Sequence, residues 1–110
     1  MSERLKQELE IIKESVLQTV PNTEAIYLFG SHANGASTAD SDLDIYVVIP
    51  DSIEENPLNV SAAILHKLYP SFPLPVDMLV GKRNVFDKRK EWAGTIQKTI
   101  ATKGVLIYGE

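Results

Sequence analysis

Three short apolar segments constrain the fold of this chain most strongly, because their length suits β-strands. They are Ala25–Phe29, Leu43–Ile49 and Val76–Val80, and each is followed directly by glycine or proline. Runs of about four to eight apolar residues bounded by such breakers are typical of buried strands. Because helical patterns alternate with them, the sequence predicts an α/β (α+β) fold, a small mixed β-sheet flanked by helices.

The predicted helices occupy the segments between and beyond these strands. The first begins after a Ser2 cap and ends at Pro21. The second covers about 58–69 and the last about 88–102, with a short helical turn over Ser31–Asn34 and a terminal strand or docking segment after them. In the last helix, one face is expected to carry Trp92, Ile96 and Ile100.

Length and composition narrow the class of protein. The chain has 110 residues, which predicts a single domain over 1–110 without a second lobe. It has no cysteine, which excludes disulfides and thiolate metal sites. No apolar run approaches the roughly 20 residues of a membrane span, and the amino terminus is charged. We therefore expect a cytoplasmic protein without a membrane association.

The charge is distributed unevenly along the chain. The net charge is −4, but residues 1–81 carry 4 basic and 12 acidic side chains. Residues 82–103 carry 7 basic and 2 acidic side chains, so this segment is either a solvated helix face or faces an anionic ligand or partner. The acidic net charge argues against long nucleic acid as the main partner, because such binding depends largely on neutralising phosphates.

Two aspartates, Asp42 and Asp44, stand two residues apart at the start of the second strand. Residues two apart in a strand point to the same face and lie roughly 7 Å apart. Asp44 lies inside the apolar strand, where a charge is costly unless a cation or hydrogen bonds compensate it. Two carboxylates so placed can hold divalent cations. Asp40 continues the alternation but falls in the loop, where we expect it to be solvated.

Two further features extend this candidate metal site. Asp77 interrupts the third strand, which otherwise reads as buried, and it completes a three-carboxylate cluster if that strand lies beside the second. Gly30-Ser31 follows the first strand and can offer backbone N–H groups and a hydroxyl to phosphate, although an ordinary turn has the same composition. The turn is not a Walker A loop, and a Gly-x-Ser-x-Gly elbow is absent from the sequence.

Together, Gly30-Ser31, ten intervening residues, Asp42-x-Asp44 and the later Asp77 resemble the signature of the nucleotidyltransferase superfamily that includes DNA polymerase beta. Within it, the chain resembles the minimal nucleotidyltransferases (MNT type) over about residues 28–80. The resemblance implies that Asp42, Asp44 and Asp77 are catalytic and bind two Mg²⁺ ions. It also implies that Gly30 and Ser31 hold the outer phosphates of ATP or another nucleoside triphosphate.

The chain departs from the family pattern in the turn. Many relatives carry arginine after Gly-Ser, whereas this chain has His32-Ala33-Asn34. The cations that could replace an arginine from the other side are Lys82, Arg83 and the cluster Lys88-Arg89-Lys90.

The resemblance predicts a nucleotidyltransferase that moves a nucleoside monophosphate, AMP from ATP in the first instance, to a hydroxyl and releases pyrophosphate. Small relatives of this kind are often antitoxins that adenylylate a HEPN-domain toxin, so we expect a HEPN-type partner or a homodimer to complete the acceptor site. Two alternatives remain: a non-catalytic module that binds nucleotide or a partner, and an aminoglycoside-type enzyme acting on a small molecule.

Overall fold

A computed structural model describes residues 1–38 and 41–110, and the side chain of Asp40 lies outside the described residues. The described part of the chain forms a four-stranded sheet with helices packed on both faces. Its elements in chain order are α1 (Glu3–Thr19), β1 (Ala25–Phe29), α2 (Ser31–Asn34), β2 (Leu43–Ile49), α3 (Pro57–Leu68), β3 (Val76–Lys82), α4 (Arg83–Arg89), α5 (Ile96–Lys103) and β4 (Val105–Gly109).

The sheet has the strand order β3-β2-β1-β4. β1 is antiparallel to both β2 and β4, whereas β3 runs parallel to β2. The parallel pair needs a crossover, which α3 supplies between β2 and β3. This arrangement confirms the predicted mixed sheet, and β1 and β2 have the predicted bounds. The terminal segment is also a strand, because β4 pairs along β1.

The two faces of the sheet carry separate apolar layers, because side chains alternate along β2. On one face, Ile45 and Val47 pack with buried residues of α1 and α3. On the other, Tyr46 and Val48 pack with Phe86 of α4 and Ile100 of α5. Asp44 therefore lies on the face that α4 and α5 cover, because it is two residues from Tyr46.

The predicted helix over 88–102 is wrong, because the chain forms two helices there. Thr95 separates them: its hydroxyl donates to the carbonyl of Arg89 at 2.7 Å and accepts from the backbone N–H of Lys98 at 3.1 Å, which caps α5. Gly94-Thr95 is a stop-and-cap signal within an otherwise continuous apolar spacing. Trp92 therefore lies in the connecting turn rather than on a shared helix face, and 52% of it is exposed.

Arg83 joins three carboxylates at the end of the sheet where β3 meets α4. Its guanidinium binds Glu24 at 2.7 Å, Asp87 at 3.0 Å and Glu110 at 2.7 Å. Glu110 also accepts a hydrogen bond from Tyr27, and burial together with this bond raises the pKa of Tyr27 to about 12. Glu24 precedes β1 and Gly30 follows it, so these ion pairs hold Arg83 at the end of β1 opposite the Gly-Ser turn.

We expect Arg83→Met to lower the free energy of unfolding by about 2 kcal/mol. This lies between the values typical of exposed and of buried ion pairs, because Arg83 is largely covered and its three partners are partly exposed. Urea unfolding at neutral pH measures the change. The matched control is Lys90→Met, which removes one looser contact with Asp87 at 3.3 Å and a cation–π contact with the ring of Phe86 at 5.9 Å. Equal losses in both variants would contradict a special role for Arg83.

Candidate active site

The Gly-Ser turn leads directly from β1 into the short helix α2. Gly30 has φ +74° and ψ −153°, a backbone conformation open essentially to glycine alone. Its carbonyl accepts from the backbone N–H groups of Ala33 and Asn34, which bends the chain sharply after Phe29. The sequence predicted this turn, and the structure adds the reason for its glycine.

Gly30 lies in direct contact with Asp44, although the two belong to different motifs. Phe29 pairs with Asp44 in the antiparallel register of β1 and β2. A Cβ atom placed on Gly30 would stand only 2.1 Å from Oδ2 of Asp44, so the carboxylate lies against the backbone of the turn. The Gly-Ser turn and the Asp-x-Asp pair therefore form one local unit.

Asp77 lies beside Asp44 because β3 pairs in parallel with β2. The two residues are register partners, which places their side chains on the same face of the sheet. Asp42 lies one residue before β2, and its negative charge acts on Asp44. Asp42 and Asp77 are exposed and Asp44 is half-buried. The expectation that Asp77 is buried is wrong, because β3 is an edge strand and Asp77 stands near its amino end.

The electrostatics of the site centre on Asp44. Burial raises the pKa of Asp44 above its ordinary value, and the negative charges of Asp77 and Asp42 raise it further. The charge of His32 acts in the opposite direction. Like charges so close together favour a bound cation or proton. The arrangement is thus suited to attracting positive charge.

His32 is a neighbour of Asp44 whose position the sequence did not reveal. Its Nε2 lies 3.1 Å from the carbonyl oxygen of Ser41, the residue before Asp42. It therefore ties the Gly-Ser turn to the start of β2 and lies close enough to influence Asp44. Its place directly after Gly30-Ser31 was the only signal in the sequence.

One cavity lies beside the carboxylates rather than over them. It has a volume of about 630 Å³ and is bordered by the amino end of α1, by His32 and Ala33, and by the loop with Ser37 and Thr38. None of the three aspartates lines it. We place the candidate site at Asp42, Asp44 and Asp77, which we call the carboxylate face. The charges of Asp42 and Asp77 act on Asp44 there.

A family model described as polymerase beta nucleotidyltransferase matches residues 10–110. The chain belongs to the polymerase beta nucleotidyltransferase family. This confirms the predicted family and the predicted class of enzyme, a nucleotidyltransferase. No curated protein matches the chain in a comparison of sequences.

Solved structures share the fold of this nucleotidyltransferase. A protein of Sulfolobus solfataricus described as a nucleotidyltransferase has 25% sequence identity to this chain and a TM-score of 0.67. The match covers 97% of this chain and 82% of that protein. A toxin–antitoxin complex with AMP-PNP has 24% identity and a TM-score of 0.65, over 92% and 73%. A third match is a chain in the structure of the tri-AMPylated Shewanella oneidensis HEPN toxin in complex with MNT antitoxin. It has 24% sequence identity and a TM-score of 0.60, over 99% of this chain and 74% of that chain.

The donor chemistry of this nucleotidyltransferase suits a hard divalent cation. Carboxylate oxygens are the ligands that Mg²⁺ prefers, and the mutual repulsion that acts on Asp44 is relieved by a cation. As placed, no three acidic or histidine side chains within residues 1–38 and 41–110 stand close enough to hold one ion together. Strand register brings Asp44 and Asp77 together, and Asp42 lies one residue before β2, where its charge acts on Asp44. Among the same described residues, no helix is long and apolar enough to cross a membrane.

Proposed function

We propose that the chain is a Mg²⁺-dependent nucleotidyltransferase that moves AMP from ATP to a hydroxyl group of a protein partner, and that residues 1–110 act as one catalytic domain. The observation that carries this proposal is the in-register pair Asp44 and Asp77, packed against the Gly-Ser turn at Gly30. Family membership supports the reaction class. A reaction that uses ATP also supports the expected cytoplasmic location.

The three aspartates would share two tasks. Asp42 and Asp44 would hold the Mg²⁺ ion that accompanies the triphosphate, and Asp77 would join them in holding a second ion. Bound Mg²⁺ would neutralise charge on the triphosphate and on the departing pyrophosphate. Asp77 is exposed at an edge strand, where an incoming hydroxyl can reach it. Its carboxylate would accept the proton of that hydroxyl.

Gly30 and Ser31 would hold the outer phosphates through backbone N–H groups and the serine hydroxyl. The acceptor oxygen then attacks the α-phosphorus of ATP. The bond between the α-phosphorus and the bridging oxygen breaks, and pyrophosphate leaves with the electron pair. His32 takes the place of the arginine of many relatives, and its contact with Ser41 keeps the turn beside Asp42.

The acceptor is proposed to be a HEPN-type toxin, with this chain as its antitoxin. Asp42 and Asp77 are exposed, so an acceptor hydroxyl can approach them from solvent. Two of the structures with this fold are toxin–antitoxin complexes, and one of them contains an AMPylated HEPN toxin. A second copy of the chain is the alternative that could complete the acceptor site.

The test is transfer from ATP labelled at the α-phosphate to a HEPN-domain protein that binds this chain. We expect label on the partner, dependent on Mg²⁺ and removed by chelation. If the chain binds its partner but transfers nothing, and ATP fails to bind with or without Mg²⁺, the chain is a binding module. Label on an aminoglycoside instead of a protein would identify a small-molecule enzyme.

A further inference from the structure

The segment from α4 into the following turn exposes an aromatic and an aliphatic side chain side by side. Trp92 is 52% exposed and Val85 is 42% exposed. With Asn84, Lys88 and Arg89 they line a cavity of about 220 Å³, and we call these five residues the Trp92 patch. The cavity is smaller than the roughly 300–1,000 Å³ typical of small-molecule sites, so it suits a single protein side chain.

The turn that carries Trp92 is held in a fixed conformation. The hydroxyl of Thr95 lies 2.7 Å from the carbonyl oxygen of Arg89 and 2.9 Å from that of Trp92, so the two carbonyls share its single proton. The backbone N–H of Trp92 in turn donates to the carbonyl of Arg89 at 3.0 Å. An anchor that is already ordered loses little entropy on binding. Tryptophan and arginine are also the residues most enriched among those that dominate interface energies.

The charges of the patch are unbalanced. Lys88 and Arg89 form no ion pair within the part of the chain that the structure describes, whereas Asp87 is engaged by Arg83 and Lys90. Glu91 adjoins Trp92 in sequence but does not line the cavity. Because residues 1–81 carry a net charge of −8, an acidic partner is repelled by most of the chain and attracted to this segment.

The patch and the three aspartates lie on the same side of the sheet. Phe86 of α4 packs on Tyr46, which shares the face of Asp44. At one end of the patch, the backbone N–H of Asn84 donates to Asp51, just beyond the carboxyl end of β2. Asp51 lies two residues beyond Ile49, the last residue of β2, and Ile49 is itself five residues from Asp44, or roughly 17 Å along the strand. A partner bound at the patch would therefore leave the carboxylates unoccupied, and its acceptor hydroxyl would have to span this distance to reach them.

We propose that the Trp92 patch is the docking surface for the protein acceptor, and that it binds an acidic segment of that acceptor which inserts one apolar side chain between Trp92 and Val85. This inference rests on the proposed function for the identity of the acceptor. The binding itself depends only on the patch. Docking there would hold the partner at the chain while its hydroxyl spans the distance to Asp42, Asp44 and Asp77.

Trp92 is the only tryptophan of the chain, so its fluorescence reports on the patch directly. The probe is the peptide acetyl-Glu-Glu-Leu-Phe-Glu-Glu-amide, titrated into the full chain. We expect a saturable change in emission that weakens with added salt. The peptide acetyl-Lys-Lys-Leu-Phe-Lys-Lys-amide should produce at least about tenfold weaker binding, because its charge matches that of the patch. Equal affinity for both peptides, or no response to either, would overturn the inference.

The double variant Lys88→Glu with Arg89→Glu should weaken binding of the acidic peptide at least about tenfold. The matched control is Lys98→Glu with Lys103→Glu on α5, which changes the net charge equally at exposed positions and should leave affinity unchanged. Equal losses in both double variants would show a general charge effect and overturn the inference. A larger response to oligouridylate than to the acidic peptide would do the same, in favour of a nucleic-acid partner.

Asp44→Asn separates this inference from the proposed function. The variant should bind the acidic peptide as the wild type does, because Asp44 is remote from the patch. Peptide binding without AMP transfer in the wild type would support the docking surface and count against the proposed reaction. AMP transfer to the partner that is unchanged in the Lys88 and Arg89 double variant would overturn the docking surface and leave the reaction intact.

Discussion

Asp44→Asn is expected to abolish AMP transfer and to stabilise the metal-free protein at the same time. Activity should fall at least about 100-fold, the scale on which single electrostatic groups act at active sites. Stability should rise because burial and the charges of Asp77 and Asp42 raise the pKa of Asp44 in the folded state. The ionised carboxylate therefore opposes folding, and an amide of the same shape does not.

The sign of this effect can be checked by thermal unfolding across pH. A carboxyl whose pKa is raised on folding contributes stability below its unfolded value of 3.8, and that stability is lost as the pH rises through the folded value. Variant and wild type should differ least below pH 3.8 and most at neutral pH.

Glu54→Gln controls for the loss of one negative charge, because Glu54 is exposed in the loop before α3. If Asp44→Asn unfolds more easily than the wild type at neutral pH, the carboxylate is held by favourable bonds and the electrostatic account of the site fails.

Gly30→Ala should have a second large effect, on activity and stability together. The backbone conformation of Gly30 is one that alanine adopts at a penalty of about 1–3 kcal/mol. In addition, the new methyl group would meet Oδ2 of Asp44 at 2.1 Å, so the carboxylate must move. A displacement of about 1 Å at a reacting site can reduce the rate about 100-fold. Transfer per folded molecule and urea unfolding measure the two effects separately.

Gly35→Ala is the matched control for this substitution. Gly35 also has a positive φ, of +78°, but nothing lies within 4 Å of a Cβ atom placed there. We expect a loss of about 1–2 kcal/mol in stability and full transfer per folded molecule. If both alanine variants lose transfer equally, the contact between Gly30 and Asp44 is not what matters for activity.

The sheet could be predicted because its strands are short, apolar and bounded by breakers. Ala25–Phe29 and Leu43–Ile49 were predicted with the bounds observed. The last helix could not be predicted in the same way, because the spacing of Trp92, Ile96 and Ile100 satisfies a helical period across a turn. The hydrogen bonds of the Thr95 side chain separate the two helices. They depend on the local backbone conformation, which the spacing of apolar residues does not show.

The candidate site was predictable as a set of residue types and only partly as an arrangement. The position of Asp44 inside β2 follows from the sequence, whereas Asp42 lies one residue before the strand. The exposure of Asp77 depends on β3 being an edge strand, which strand order decides and local sequence does not. The contact of Gly30 with Asp44 likewise requires the register of two strands.

The strand order also has a consequence for the order of folding. The pairing of β1 with β2 joins segments that are near in sequence, whereas the contact that fastens Glu110 to Tyr27 closes a separation of 83 residues. Closing a longer loop costs more chain entropy, so local pairings tend to form earlier and to persist longer. The contact between Gly30 and Asp44 lies in the β1–β2 pair. It can therefore persist when β4 detaches transiently from the sheet and exchanges its amide hydrogens with solvent.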